Sequence, residues 1–279
     1  MKQPLAAALV LSAGLITAVP AVAQELPARI KEAGRIVAAT NPNYAPIVYK
    51  DPATNVLQGL DIDLGTAIAE ELGVEIEWQE TEFVQMLPSL QTGRVDIALA
   101  GMSDIASRRD TVDFVDYMSS GAQFYTLTQL AGSIKEPTDL CGKRVGASRN
   151  TNWPSDITAW SEANCVAAGL EPIDVVGTEG SVDARTQLRS QRLDAAVQGN
   201  ETLPYFQKLE PDTYVLIGAP ITRTLAGIPT VKTEEGEQIR DAVAGALKRL
   251  QDSGRYQEIF ASYGLAENAV DDIQINAGE

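Results

Sequence analysis

The chain has 279 residues, 44% of them hydrophobic and 22% charged, an ordinary globular composition that excludes disorder, collagen and coiled coil. Thirty-eight acids against 22 bases leave a net charge of −16, and no basic stripe offers the counterion release that nucleic-acid binding requires. Histidine is absent, which excludes Ser-His-Asp and Cys-His nucleophilic sites and nearly all zinc enzymes; neither a metal nor a cofactor is expected.

In chain order, residues 1–23 read as a cleaved signal peptide. Lys2 precedes an apolar run from Leu5 to Val22, and Ala21-Val22-Ala23 supplies a small-residue cleavage site. Pro4, Gly14 and Pro20 interrupt the run and argue against a retained anchor. No later segment approaches the ~20 apolar residues of a membrane span, so the processed chain is expected to be exported and soluble.

From there short β-rich runs alternate with helical patterns, the signature of an α/β protein with largely parallel sheets. RIVAAT, residues 35–40, is the first predicted strand. Leu60, Leu64, Ala67, Ile68 and Leu72 follow helical spacing up to Gly73. Residues 74–78 alternate as a strand, 83–92 return as a helix, and VDIALA, 95–100, has the near-continuous apolar character of a buried parallel strand. A second set of units begins near Phe124, with strands predicted at 144–147, 173–176, 195–198 and 214–217, and helices at 153–164, 182–190 and 201–209. A long amphipathic helix over 234–254 and a shorter one over 256–263 follow. The acidic, polar tail 266–279 is expected to be loosely held.

Cys141 and Cys165 are the two cysteines, both in the exported part, and an even pair in an oxidising compartment predicts a disulfide. Closing a loop of about 25 residues is worth roughly 3 kcal/mol in the chain-entropy model. Two extended stretches bearing Gly, Ser or Pro, 119–122 and 218–222, enclose about a hundred residues. They fit hinges joining one domain inserted into another, and equally two ordinary loops of one domain.

Four loops carry the polar chemistry. Residues 100–109, Ala-Gly-Met-Ser-Asp-Ile-Ala-Ser-Arg-Arg, leave a buried strand and open a helix. With the strand ending at Gly101, free N–H groups, the Ser103 hydroxyl and the Arg108 fork would together clamp a carboxylate; the same residues fit a capped surface helix with solvated arginines. Asn41-Pro-Asn-Tyr44 follows the first strand, where an aromatic can pack on a ligand's apolar part, with Phe83 as an opposite wall or as core. Thr151 and backbone donors at the start of the helix after the 144–147 strand could meet the same anion, while Trp153 fits an aromatic lid or packing at the helix start. Gln198-Gly199-Asn200-Glu201 follows the strand placed at 194–197, facing the same crevice or, through Asn200, capping a helix.

The order of these pieces resembles the periplasmic solute-binding proteins of polar amino acid ABC importers. Tyr44-Ala-Pro46, Gly59-Leu-Asp61-Ile-Asp63-Leu64, Leu87-Pro88-Ser-Leu90, Gly93-Arg-Val-Asp96, Gly101-Met-Ser103, Arg108, Val112-Asp113-Phe114 and Gly254-Arg-Tyr256 carry the resemblance over about residues 28–265. It implies two α/β lobes, each a mostly parallel sheet flanked by helices, joined by two hinge strands with the ligand between them. The expected division is a leader 1–23, a first lobe 24–120, a second lobe 121–219, and a return 220–279 to the first lobe. By the resemblance Gly101, Ser103, Arg108 and Thr151 match residues holding a ligand α-carboxylate, and Tyr44 and Phe83 match its stacking aromatics. The implied partners are a small carboxylate ligand and a membrane permease, with the binding protein itself monomeric and not an enzyme.

Two departures bear on the ligand. Where the family's Asp takes the α-ammonium, this chain has Gly199, so Glu201 or Asn200 substitutes, or the ligand lacks a free α-ammonium, as an opine-like N-substituted conjugate does. Asn41 stands where proteins binding cationic side chains often carry an acid, which disfavours a lysine- or arginine-type ligand. The fold also serves periplasmic dehydratases, but Glu201 is the sole cleft acid that could act as a catalyst.

Overall fold

The computed structural model describes residues 25–278; the expected leader and its cleavage site lie outside them. No helix among the described residues is long and apolar enough to cross a membrane.

Among the described residues the first lobe holds three three-stranded sheets, a small antiparallel one of Asn43–Tyr44, Val48–Lys50 and Leu57–Gln58 and two larger ones that carry its core. Strand Arg35–Thr40 lies between Glu75–Glu80 and Ile97–Ala98, parallel to both. The second larger sheet is antiparallel, with Val112–Ser120 between Thr224–Val231 and Ala269–Ile275. The amphipathic helices Leu60–Leu72 and Glu234–Asp252 supply the apolar stripes that cover these sheets, joined in one core by Ile36, Leu64, Ile68, Val243, Leu247 and Phe260. The predicted strand over 95–100 shortens to Ile97–Ala98; its flanks stay tied to the first strand by Asp96 N to Val37 O (2.8 Å) and Leu99 N to Ala39 O (2.9 Å), with side-chain bonds from Val37 N to the Asp96 carboxylate and from Thr40 Oγ1 to Leu99 O added (both 2.8 Å).

The second lobe is one five-stranded sheet in the order Asp174–Thr178, Arg144–Ser148, Ala195–Gly199, Ala122–Leu127, Tyr214–Ile217. The first three run parallel, and Ala122–Leu127 is antiparallel to both of its neighbours. Helices Trp153–Asn164, Ser181–Arg189 and Leu203–Leu209 pack against it around two separate apolar clusters, one with Phe124 and Ile157 and the other with Tyr125 and Leu188. Cys141 and Cys165 are bonded, tying the turn before Arg144–Ser148 to the end of helix Trp153–Asn164.

The chain crosses between lobes twice, and the crossings lie side by side. Ile221 N donates to Ala122 O at 2.8 Å, Ala122 N to Thr222 Oγ1 at 3.1 Å, and Arg223 Nε to Ser119 Oγ at 3.2 Å. Two short antiparallel connections of this kind permit a hinge rotation while leaving each lobe's core intact.

The C-terminal tail departs from the expectation of a loose end. Ala269–Ile275 is the third strand of the antiparallel sheet, and Asn276 then closes on Phe114 N through Oδ1 (2.8 Å) and on Asp113 Oδ1 through Nδ2 (2.9 Å). Ala277 N donates to Asp116 and Gly278 N to Asp104, while Arg109 Nη1 donates to the carbonyls of Asn276 and Gly278. Of that strand's seven residues Ile273 alone is fully buried, so the sequence shows no apolar alternation, and polar contacts do the holding.

Burial, with the Asp104 carboxylate alongside, pushes the Asp116 carboxyl up to about 7 from its ordinary 3.8. A carboxyl raised in the folded state stabilises the protein below its unfolded value, and that contribution is lost as pH rises through about 7. Asp61, buried and also raised to about 7, acts with the same sign. Asp116→Asn keeps an acceptor for Ala277 and removes the charge. Its melting temperature should exceed the wild-type value by several degrees at pH 8, by less at pH 5, and match it only below about pH 4; equal pH profiles would contradict the assignment.

Candidate functional site

A cavity of about 290 Å³ lies between the lobes. The first lobe contributes Asn41, Tyr44, Phe83, Gly101, Ser103 and Arg108, and the second contributes Thr151 with Ser148, Asn152, Trp153 and Ser181. Seven of the ten sequence-predicted ligand residues therefore share one wall-to-wall space. The lobes touch around it: Ser181 Oγ donates to Asn43 O at 2.9 Å, Ser103 Oγ to Asn152 Oδ1 at 3.3 Å, and the rings of Tyr44 and Trp153 lie 6.1 Å apart.

Arg108 sits in a single helical turn, Ala106–Arg109, too short for an anion site made of helix-end N–H groups. The side chain itself is the feature. Nη1 donates to Ser103 O at 2.8 Å, and the guanidinium carbon lies 5.5 Å from the Phe83 ring centre. No carboxylate among the described residues forms an ion pair with it, whereas neighbouring Arg109 reaches Asp104 at 3.5 Å. Burial, partly offset by the field of Asp104, brings the Arg108 pKa down to about 10. It stays charged at neutral pH, with most of its fork unoccupied and facing the cavity, a geometry that accepts a carboxylate through paired bonds.

The surrounding pieces are held from behind. Gly101 has φ +58°, and a Cβ there would approach Tyr44 Cε1 to 2.9 Å. Its N–H donates to Asp61 Oδ2 at 3.0 Å, and the other Asp61 oxygen accepts from Tyr117 Oη at 2.6 Å. The first turn of helix Leu60–Leu72 thus fixes the loop that carries Ser103 and Arg108. Asn41 spends its amide on Thr81 O at 3.1 Å and presents no charge. Thr151 Oγ1 donates to Ser148 O at 2.7 Å and accepts from Trp153 N at 3.3 Å, shaping the start of helix Trp153–Asn164 at the cavity edge. Glu82 and Gln85, from the first lobe, and Arg149, paired with Glu179 at 2.9 Å, also line the space.

Gln198, Gly199 and Asn200 do not line it. The Gln198 amide is buried inside the second lobe with neither polar atom bonded to protein. Asn200 turns to the hinge, where its Oδ1 accepts from Gly121 N at 2.9 Å, and it caps no helix because Leu203–Leu209 begins later. Gly199 lies under the cavity floor, and a Cβ on it would overlap the Glu201 carboxylate and the Tyr44 hydroxyl. The carboxylate filling that volume therefore comes from Glu201. It is 1% exposed, accepts from Tyr44 Oη and from Ser120 Oγ (2.9 Å), and is pushed up in pKa by burial.

A family model described as bacterial extracellular solute-binding proteins, family 3, matches residues 36–266. The chain belongs to this family. It is similar to the arginine-binding protein ArgT of Corynebacterium glutamicum, 30% identical over 258 residues that cover 92% of this chain and 83% of the relative. An L-arginine-binding protein of Pseudomonas aeruginosa is 29% identical over 269 residues, 94% of this chain and 96% of the relative. Among solved structures, an ancestral arginine-binding protein bound to arginine matches with TM-score 0.71 at 28% identity, covering 82% of this chain and 98% of that one. The two-lobe architecture expected from the sequence is the family's own.

The overlap at Gly199 has a direct consequence. A methyl group there must displace Glu201 or Tyr44, a clash costing about 1–3 kcal/mol. Gly199→Ala should therefore melt several degrees below wild type, and an unchanged melting temperature would show that the volume is not filled.

Proposed function

We propose that the chain is the exported, substrate-capturing component of an amino acid ABC importer, holding an amino acid or amino-acid-derived carboxylate between its lobes. The observation that carries this reading is Arg108, a guanidinium on the cavity wall without an anionic partner among the described residues. The ligand carboxylate would seat on Arg108 and Ser103. Its apolar part would lie among Tyr44, Phe83 and Trp153, and the Thr151–Asn152 segment would cover it from the second lobe. Ligand binding favours the closed arrangement only through contacts that the open one lacks, and a membrane permease would read the closed shape. The protein would work as a monomer in the periplasm.

The reading is of capture without chemistry. Glu201, the acid considered from the sequence as a catalyst, is sealed beneath Tyr44. Glu179 is tied to Arg149. Arginine joins the neutral polar amino acids as a candidate, because the relatives named above bind it and because Glu82 brings a carboxylate to the cavity that Asn41 does not.

The test is thermal shift against a panel of arginine and neutral polar amino acids. A ligand at 100 times its dissociation constant adds about 2.7 kcal/mol, a clear rise in melting temperature. Arg108→Ala should abolish that rise by weakening binding at least about 100-fold. Retention of micromolar binding in the variant would contradict the clamp.

A further inference from the structure

Glu201 is a buried carboxylate with no lysine or arginine in ion-pair range among the described residues, an expensive arrangement unless something specific receives it. What receives it are two hydroxyls from different parts of the molecule. Tyr44 Oη comes from the first lobe's ligand loop, and Ser120 Oγ from the strand end at the first crossing between lobes. The carboxylate fits because Gly199, two residues earlier, has no side chain to occupy the space. The hinge backbone is fixed beside it by Asn200, whose N donates to Gly121 O at 2.9 Å and whose Oδ1 accepts from Gly121 N.

Tyr44 is also the cavity wall. Its ring packs on the glycine at 101 and faces Trp153 across the cleft. One carboxylate of the second lobe thus grips an aromatic of the first lobe and the hinge between them. We infer that Glu201 is a positioning residue, a latch that joins the lobes through Tyr44 and assembles the aromatic wall before a ligand arrives. The inference rests on the proposed function for its consequence: a preformed closed population raises the apparent ligand affinity in proportion to the fraction closed. The latch itself is a property of the unliganded protein.

The experiment measures the distance between spin labels at Val56 and Leu170, exposed residues on opposite lobes outside the cavity lining, in ligand-free protein by double electron–electron resonance. Wild type should show a short-distance population. Tyr44→Phe, which removes one oxygen, should lower the closed-to-open ratio about tenfold, the value of a hydrogen bond to a charged acceptor. Glu201→Ala should do the same, and the double variant should be no more open than either single one, because both remove the same bond. The double variant separates a latch from a general packing role, which would give independent, multiplying effects.

Three outcomes overturn the inference: a single long distance in wild type, an unchanged distribution in Tyr44→Phe, or multiplying effects in the double variant. If Glu201→Ala does not fold, Tyr44→Phe alone decides. Ligand binding in the thermal-shift panel together with any of those three outcomes would sink the latch and leave the transport reading standing. A latch seen in the labels without any stabilising ligand would do the reverse.

Discussion

A guanidinium set into a cleft with no ion-pair partner among the described residues is the constraint on which the rest of this structure depends. Moving a charge part-way out of water is costly, and the depressed pKa of Arg108 records that cost. Asp104 helps from a distance, and the Ser103 carbonyl and Phe83 ring give partial solvation. The remaining donors wait for an anion. The molecule as a whole is strongly acidic, so the global field opposes that anion, and selectivity falls to this local cation and the walls around it.

The architecture supports such a site by separating rigidity from movement. Each lobe has its own apolar cores, so the cleft between them needs no hydrophobic filling of its own. The loop bearing Ser103 and Arg108 is anchored by Asp61 through the Gly101 amide, while the C-terminal segment clasps Arg109, Asp104 and Asp116 on the far side of the same turn. The loop bearing Arg108 is thus held from both directions by Asp61 and the C-terminal segment, groups that do not line the cavity.

Much of this was legible in the sequence. RIVAAT and YVLI are strands with the predicted bounds, and helix Trp153–Asn164 matches as well, because apolar period and flanking turns agreed there. That Gly101, Ser103 and Arg108 share one cavity wall was readable because they lie within eight residues of one another, and local chemistry needs no tertiary information. The 198–200 segment misled because side-chain direction at a strand end is set by the sheet: Gln198 points into the lobe and Asn200 to the hinge. Glu201 was visible as a possible substitute for a missing acid. Its true setting, in the space above a glycine and under a tyrosine more than 150 residues away, follows only from the closed tertiary arrangement. The tail was misread because its apolar contribution to the core is small, chiefly Ile273, and much of its hold comes from strand pairing, Asn276 and Arg109.

The central claim is that Arg108 receives a ligand carboxylate, and masking that carboxylate on the ligand tests it with the protein untouched. Isothermal titration of the wild-type protein would compare an amino acid that stabilises it with the corresponding amino acid carboxamide, identical except for the lost negative charge. The account predicts that the free acid binds and that the carboxamide binds at least about 100-fold more weakly. Equal affinity for the two would contradict it, and would place the ligand's recognition elsewhere in the cleft.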